Sequence, residues 1–396
     1  MGTQGNAAPL KGSVRLGSYL KRLRTGYGYS LRRVEERARA GGGEIDNSQL
    51  SRYEKGICYP SFDKLRVLAS VFNVPIQAFS DVVDLEGFEH LVPEVNDPSE
   101  LLDYGQARMI AGDTGQAFAC YEHALEMLEA LPAAARSREL EARLRVSQAI
   151  ALHRLGKLSL AEQELRNALR DLERLSGRLR AQAVLNLANV HADQGDLFLA
   201  EMEAERAYRF ALDEDIELLA ARSLHTLGRV LAERHQHSEA IDRYRQAVNL
   251  YQHCEEPHEA IRVRVNIGGC YVALGKTREG VRLLKSVLLE SRQHGHRRQQ
   301  ARAWSYLGEA YYSLGDRPRA RQCLAESDGL SAAGEKYIDL MFINSFYDWK
   351  MARDENNPTR EKIAFGRLKV LRSGQERKFP EVEAFDDYVE GGRHHA

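Results

Sequence analysis

Residues 304–320 read WSYLGEAYYSLGDRPRA, and this stretch decides the fold because its pattern of large and small residues recurs along the chain. The small residues of its second half recur at spacings of 44, 39, 40, 40 and 40 residues, as Ala117, Ala161, Ala200, Ala240, Gly280 and Ala320. A register this regular predicts stacked helix pairs, since small residues at fixed points let two helices approach while larger residues fill the gaps.

The first half of the stretch has the spacing W-x2-L-G-x2-Y, formed by Trp304, Leu307, Gly308 and Tyr311. The same frame recurs around Gly228 and Gly268, and weaker copies contain Gly105, Ala149 and Ala188. This pattern resembles the tetratricopeptide repeat, whose period of about 34 residues is shorter than the period here. The resemblance implies an all-α chain with a right-handed α-solenoid, which we place at residues 99–330 as six repeats.

Residues 331–396 keep a helical period but lack this signature. We therefore predict an atypical helical pair and a C-terminal cap, because the end of a solenoid must cover apolar surface that a further repeat would bury. The aromatic residues of this region are expected in the core of the cap rather than in a ligand site. They are Phe342, Phe346, Tyr347 and Trp349.

The N-terminal part of the chain has a different pattern, with five short amphipathic stretches separated by turn residues. From Leu10 to Ser80 there are 13 basic and 6 acidic residues, whereas from Asp81 to Ala130 there are 1 and 12. A basic module of this kind suits a polyanionic partner. The predicted segments are a flexible tail at 1–13, a five-helix domain at 14–82 and an acidic linker at 83–98 with room for one short helix.

The third of these stretches contains the string SQLSRYEKG at residues 48–56. Together with the leucines of the first stretch, it resembles the phage-repressor type (Xre-like) helix-turn-helix domain. The third helix of that family lies in the major groove of DNA, where its first residues read base edges. By this resemblance the base-reading residues are Asn47, Ser48, Gln49 and Arg52. Phosphate contacts are expected from Lys21, Arg22, Arg24, Arg32, Arg33 and Lys55.

Two features of this region depart from the family's pattern. Leu31 stands where the family usually has a polar residue, and the turn RAGGGEID at residues 39–46 is longer than the usual form. Basic residues on short helices can also form an ordinary solvated face, which is the alternative interpretation of this region.

The repeat register also predicts a ligand groove, because equivalent positions of successive first helices lie side by side. Guanidinium and amide groups dominate these positions, and they suit the main chain and carboxylates of an extended peptide. The alternative is that exposed arginines are simply common in an Arg-rich chain. The predicted groove residues are Gln182, Asn186, Asn189, Arg222, Thr226, Arg229, Arg262, Asn266, Arg302 and Tyr306.

A helix-turn-helix domain followed by tetratricopeptide repeats resembles the peptide-pheromone receptor transcription factors of bacteria. The resemblance implies a regulator that binds double-stranded operator DNA as a homodimer and senses a short peptide or a protein in its groove. The main alternative is an adaptor that binds a partner protein through the solenoid, such as an antitoxin or a defence-system component. A regulator that senses a small molecule is the third interpretation.

Sequence patterns of other functional classes are not found. The chain has no phosphate-binding loop, zinc-protease motif or nucleophile elbow, so we expect no catalysis, no cofactor and no metal. Its five cysteines form no C-x-x-C pair and are interpreted as small buried residues. No membrane span or apolar leader stands out, so we expect a cytoplasmic protein.

Overall fold

The computed structural model describes residues 12–170, 176–333, 336–375 and 377–393. All regular secondary structure in these residues is helical, which confirms the predicted all-α fold. The chain divides into two compact units, Met1–Asn167 (unit 1) and Ala168–Ala396 (unit 2).

Unit 1 begins with five helices: α1 (Val14–Gly26), α2 (Leu31–Ala40), α3 (Asn47–Glu54), α4 (Phe62–Phe72) and α5 (Gln77–Asp84). The first four begin after Ser13, Ser30, Asp46 and Ser61, whose side chains each accept a hydrogen bond from a first-turn N–H. Such caps satisfy backbone donors that have no partner within the helix. The fully buried residues among these helices are Leu20, Val34, Leu50, Leu68 and Phe72.

The helix pairs follow in both units. Unit 1 contains α6 (Pro98–Ala111) with α7 (Thr114–Ala130), and α8 (Arg138–Arg154) with α9 (Leu158–Ala168, whose last residue is the first of unit 2). Unit 2 contains α10 (Gly177–Gln194) with α11 (Leu197–Asp213), α12 (Glu217–Glu233) with α13 (His237–His253), α14 (Pro257–Ala273) with α15 (Thr277–Gln293), α16 (Arg297–Ser313) with α17 (Arg317–Ala332), α18 (Ile338–Asp354) with α19 (Pro358–Ser373), and finally α20 (Pro380–Arg393).

Small residues allow the helices of each pair to approach closely. The six small residues at the repeat spacing lie in the second helices and are all buried. In four first helices a glycine faces the side chain found 16 residues later, and a Cβ atom there would lie only 2.4–2.6 Å from that side chain. This contact is the physical reason for the repeated sequence pattern. The pairs are Gly105 with Tyr121, Gly228 with Tyr244, Gly268 with Leu284, and Gly308 with Leu324.

Residues 83–98, expected to be an acidic linker, are largely folded. A 3-10 turn spans Leu85–Leu91, and the ring of Phe88 packs edge-on against Phe118, with a centroid distance of 6.5 Å. Gln116 donates a hydrogen bond to the Leu91 carbonyl over 3.2 Å. Apolar side chains such as Phe88 anchor this acidic segment, and its 3-10 turn takes the place of the short helix expected within the linker.

The end of unit 2 has an aromatic core. Phe342, Phe346, Tyr347 and Trp349 are buried there, as expected, and Phe385 of α20 packs with them. The interpretation of the cysteines needs a correction, because Cys120, Cys270 and Cys323 are buried whereas Cys58 and Cys254 are partly exposed. Among the described residues, none of the helices combines the length and apolar character needed to cross a bilayer.

Candidate functional site

The start of α3 presents polar side chains to solvent. Asp46 accepts a hydrogen bond from the Gln49 N–H over 2.7 Å, and this bond, followed by one from Ser48, lowers the pKa of the Asp46 carboxyl. The cap fixes the first turn, so Asn47 and Ser48 are exposed and Gln49 is half-buried, while Leu50 points into the core. The predicted base-reading residues therefore share the free end of one short helix.

Basic side chains close to α3 in the sequence and fold are also exposed. They include Arg52 and Lys55 of the third helical segment and Arg22 of α1. Arg32 and Arg33 lie near Glu36, at 3.5 and 3.1 Å, but these pairs are exposed and so contribute little stability. All five cationic groups remain accessible to a phosphate backbone.

Arg24 has a different role from the one expected. Its guanidinium makes two hydrogen bonds to the Glu54 carboxylate, of 2.6 and 2.9 Å, and a third to the Tyr29 carbonyl of 2.9 Å. The Arg24 side chain is 15% exposed and that of Glu54 is 7% exposed. Because its donors are used inside the fold, Arg24 joins α1 to the end of α3, and the expected phosphate contact does not fit this geometry.

The long turn before α3 is packed into the domain. Gly42 has a φ of +76°, which glycine adopts without steric cost. A Cβ atom on Gly43 would lie 2.5 Å from a methyl group of Val67, and Ile45 is buried. The extra residues thus support the position of α3.

The five-helix domain is held against the first two helix pairs of unit 1 by ion pairs. Lys157 bonds Asp81 over 3.0 Å and Asp84 over 2.7 Å. Arg15 donates a hydrogen bond to Glu122. Burial raises the pKa of the Glu122 carboxyl, and the charge of Arg15 opposes part of this rise. These contacts use α1 and α5, and the exposed residues of α3 take no part in them.

In unit 2 we define the groove face as the side of α10, α12, α14, α16 and α18 that carries the repeated polar positions. Arg222 and Arg262 are exposed there, whereas Gln182 and Arg302 are half-buried. Arg302 lies 3.2 Å from Asp339, which also accepts a 2.7 Å bond from Arg298. Burial opposes ionisation of Asp339, but the charges of Arg302, Arg298 and Arg377 and a backbone hydrogen bond together outweigh it and lower its pKa.

Other predicted groove residues bond to one another. Arg229 bonds Asp193 over 2.6 Å and the Asn189 side-chain oxygen over 3.2 Å. Thr226, which is only 7% exposed, donates to the same oxygen over 3.1 Å. Asn186 donates back to its own helix, at the Gln182 carbonyl. The predicted row of free donors therefore needs a correction, because several of its members already form a network between neighbouring helices.

His225 belongs to the groove face but was not predicted from the sequence. Its Nδ1 lies 3.1 Å from Arg262, and its Nε2 lies 3.1 Å from the Asn266 amide. Because a guanidinium only donates, Nδ1 accepts from Arg262 and the proton is on Nε2, so the contact with the Asn266 amide nitrogen is not a hydrogen bond. Burial, and then the charges of Arg262 and Arg229, hold the pKa of His225 well below its usual range. The imidazole is therefore neutral and accepts a hydrogen bond from Arg262.

The groove face ends in a tyrosine and carboxylate cluster. A Cβ atom on Gly269 would lie 2.6 Å from the Tyr306 ring, so glycine makes room for that ring. Burial raises the pKa of Tyr306 to about 12. Burial and the nearby Glu381 raise the pKa of Glu309 to about 7, although a hydrogen bond from Tyr347 opposes this shift.

Two families of known proteins match parts of the chain. The helix-turn-helix family matches residues 20–79, and the tetratricopeptide repeat family matches residues 179–253. No curated protein matches the sequence. The two matched regions contain α3 and the first half of the groove face, respectively.

Solved structures share the fold at low sequence identity. A Rap protein complexed with competence and sporulation factor is 16% identical, with a TM-score of 0.57 over 92% of this chain and 99% of that one. Aspartyl phosphate phosphatase F from Bacillus subtilis is 14% identical, with a TM-score of 0.57 over 93% and 96%. NprR in complex with its cognate peptide NprX is 15% identical, with a TM-score of 0.53 over 74% and 88%. The chain thus combines a helix-turn-helix domain with a tetratricopeptide-repeat solenoid.

Proposed function

We propose that the protein is a sequence-specific transcription regulator that acts in the cytoplasm and senses a peptide in the groove of its solenoid. The observation that carries the DNA-binding part is the capped first turn of α3, which leaves Asn47, Ser48 and Arg52 exposed. An amide can bond adenine through two atoms, a hydroxyl can bond either base pair, and arginine suits guanine.

The sensing part is supported by the chemistry of the groove face. Arg222 is exposed, and Arg262 is exposed although it also contacts His225 and Glu259. Gln182 and Asn266 add half-buried amides. Such groups can bind the carbonyls and carboxylates of an extended chain. NprR, whose fold is similar, was crystallised with its cognate peptide. We extend peptide binding to this chain as part of the proposal.

The test is a selection of genomic DNA fragments by the purified protein at one fixed salt concentration, because protein–DNA affinity depends steeply on salt. We expect a short enriched sequence, and an inverted repeat would further indicate that two copies bind together. The selection is then repeated with mixtures of short synthetic peptides, one of which should change the affinity.

Failure to enrich any sequence, with and without peptides, would overturn the proposed DNA recognition. If a sequence is enriched but no peptide alters its affinity, peptide sensing is the part that fails. Stoichiometric copurification of a partner protein would then favour the adaptor interpretation.

A further inference from the structure

The chain's own C-terminal segment, which we define as residues 377–381, lies against the groove face. Arg377 lies 3.0 Å from the Asp193 carboxylate of α10 as an ion pair and donates a hydrogen bond of 2.6 Å to Glu233 of α12. The backbone N–H of Lys378 donates to the Asp193 carbonyl over 3.1 Å. These residues follow α19, the second helix of the atypical pair, yet they contact the first and second helix pairs of unit 2.

The charges explain why a cation is needed at this place. The side chains of Asp193 and Glu233 are only 15% and 12% exposed. Arg229 also bonds Asp193, whereas Arg377 is the cation that bonds Glu233 in the described part of the chain. A buried carboxylate without a partner is strongly disfavoured, so any group that replaces Arg377 must itself be cationic.

An aromatic residue anchors the same segment. Phe379 is 6% exposed and packs edge-on against Phe342 with a centroid distance of 5.9 Å. The Arg377 guanidinium lies 5.8 Å from the centre of the Phe379 ring. The segment therefore presents a cation to Asp193 and Glu233 and, two residues later, an aromatic ring to Phe342 of α18.

We propose that residues 377–381 act as an internal ligand, and that the external ligand is a peptide with a basic residue close to an aromatic one that competes for Asp193 and Glu233. The inference rests on the proposed role of the groove as a peptide site. An exchange of one guanidinium for another leaves the carboxylates paired, so little electrostatic energy is lost. A ligand of moderate affinity can then shift the equilibrium between the docked and released segment.

The test uses the full chain with the double substitution Arg377→Ala and Phe379→Ala. Arg367→Ala is the matched control, because Arg367 is an arginine of α19 that bonds Asp328 instead of Asp193 or Glu233. The probe is a fluorescent synthetic peptide with the sequence of residues 375–383, and a second probe has alanine in place of its arginine. We expect the first probe to bind the double variant at least about tenfold more tightly than it binds wild type or the control. The alanine probe should lose most of this gain.

Equal binding of the first probe to all three proteins, or equal binding of the two probes to the double variant, would overturn the proposal. Circular dichroism checks that the double variant is folded. If it is not, hydrogen exchange of wild type replaces the binding assay: excess arginine probe should speed exchange in residues 377–393, and no change would refute the internal ligand. Neither measurement contains DNA, so their outcome is independent of whether the chain recognises an operator.

Discussion

The start of α3 and the groove face differ in how their polar side chains are used. On α3, Asn47, Ser48 and Arg52 are exposed and their backbone is fixed by a cap. On the groove face, Arg229 and Thr226 are already bonded to side chains of the neighbouring helix. The polar side chains at the start of α3 are accessible to a partner. On the groove face, some internal hydrogen bonds must break before the same groups can bond a ligand. The recurrence of a polar residue in successive repeats thus predicts where it lies, but it does not predict whether its donors and acceptors can still bond a ligand.

The largest expected effect comes from removing the side chains that read bases. The double variant Gln49→Ala, Arg52→Ala should lose about a hundredfold or more in affinity for the selected operator, because each base contact is worth about 1–3 kcal/mol. The measurement is a titration of labelled operator DNA. Arg39→Ala is the control, since Arg39 is exposed on α2 and pairs with Glu35. Wild-type affinity in the double variant would rule out α3 as the reading element.

The next effect separates two arginines of α1. Arg24→Ala should lower the free energy of unfolding by about 2 kcal/mol, because it breaks charged hydrogen bonds to Glu54. Arg22→Ala should leave stability unchanged and instead reduce the salt dependence of DNA binding by about one counterion. Denaturant unfolding and operator titrations at several salt concentrations measure the two quantities. The distinction fails if both variants change the same quantity.

A smaller effect is expected on the accessible part of the groove face. Arg222→Ala with Arg262→Ala should weaken the binding of short synthetic peptides that have a free carboxylate by about tenfold, or about 1.4 kcal/mol. Fluorescence anisotropy of peptides selected from a random mixture gives the affinities. Operator affinity without peptide should not change. Peptide affinity equal to that of wild type would show that these arginines are only a solvated surface.

The smallest effect concerns pH. Glu309, with a pKa of about 7 in the folded protein, binds a proton that the unfolded chain releases near its ordinary pKa of 4.5. Stability should therefore fall as the pH rises from 4.5 through 7, because the folded state must give up this proton. Thermal unfolding across this range should show a smaller fall for Glu309→Gln than for wild type. Parallel curves for the two proteins would contradict the role of Glu309.

Several elements could be predicted because their signals are local. Ser30 and Ser61 cap the starts of α2 and α4, and the small residues at the repeat spacing lie buried in second helices. Helix caps act within one turn, and helix pairs are made by neighbouring stretches of chain. These features are therefore present in the sequence itself. Asp193 was missed, although it lies one turn after Asn189 on the same side of α10.

Other features depend on residues that are distant in the sequence. Arg24 was expected to contact DNA phosphates, but its guanidinium instead bonds Glu54, which lies 30 residues later in the sequence. His225 gains its role from Arg262 of the next repeat. Arg377 reaches Glu233 over 144 residues. None of these pairings has a periodic signature.

The sequence by itself determined the helices, the repeat register, and the residues at the exposed start of α3. Periodicity and capping are properties of short stretches, and they leave a pattern of residue types that can be read directly. Only the tertiary structure decided which of the many arginines are free and which are paired. Charge pairing is settled by which side chains are buried together, because a buried carboxylate requires a cation from whatever part of the chain can reach it.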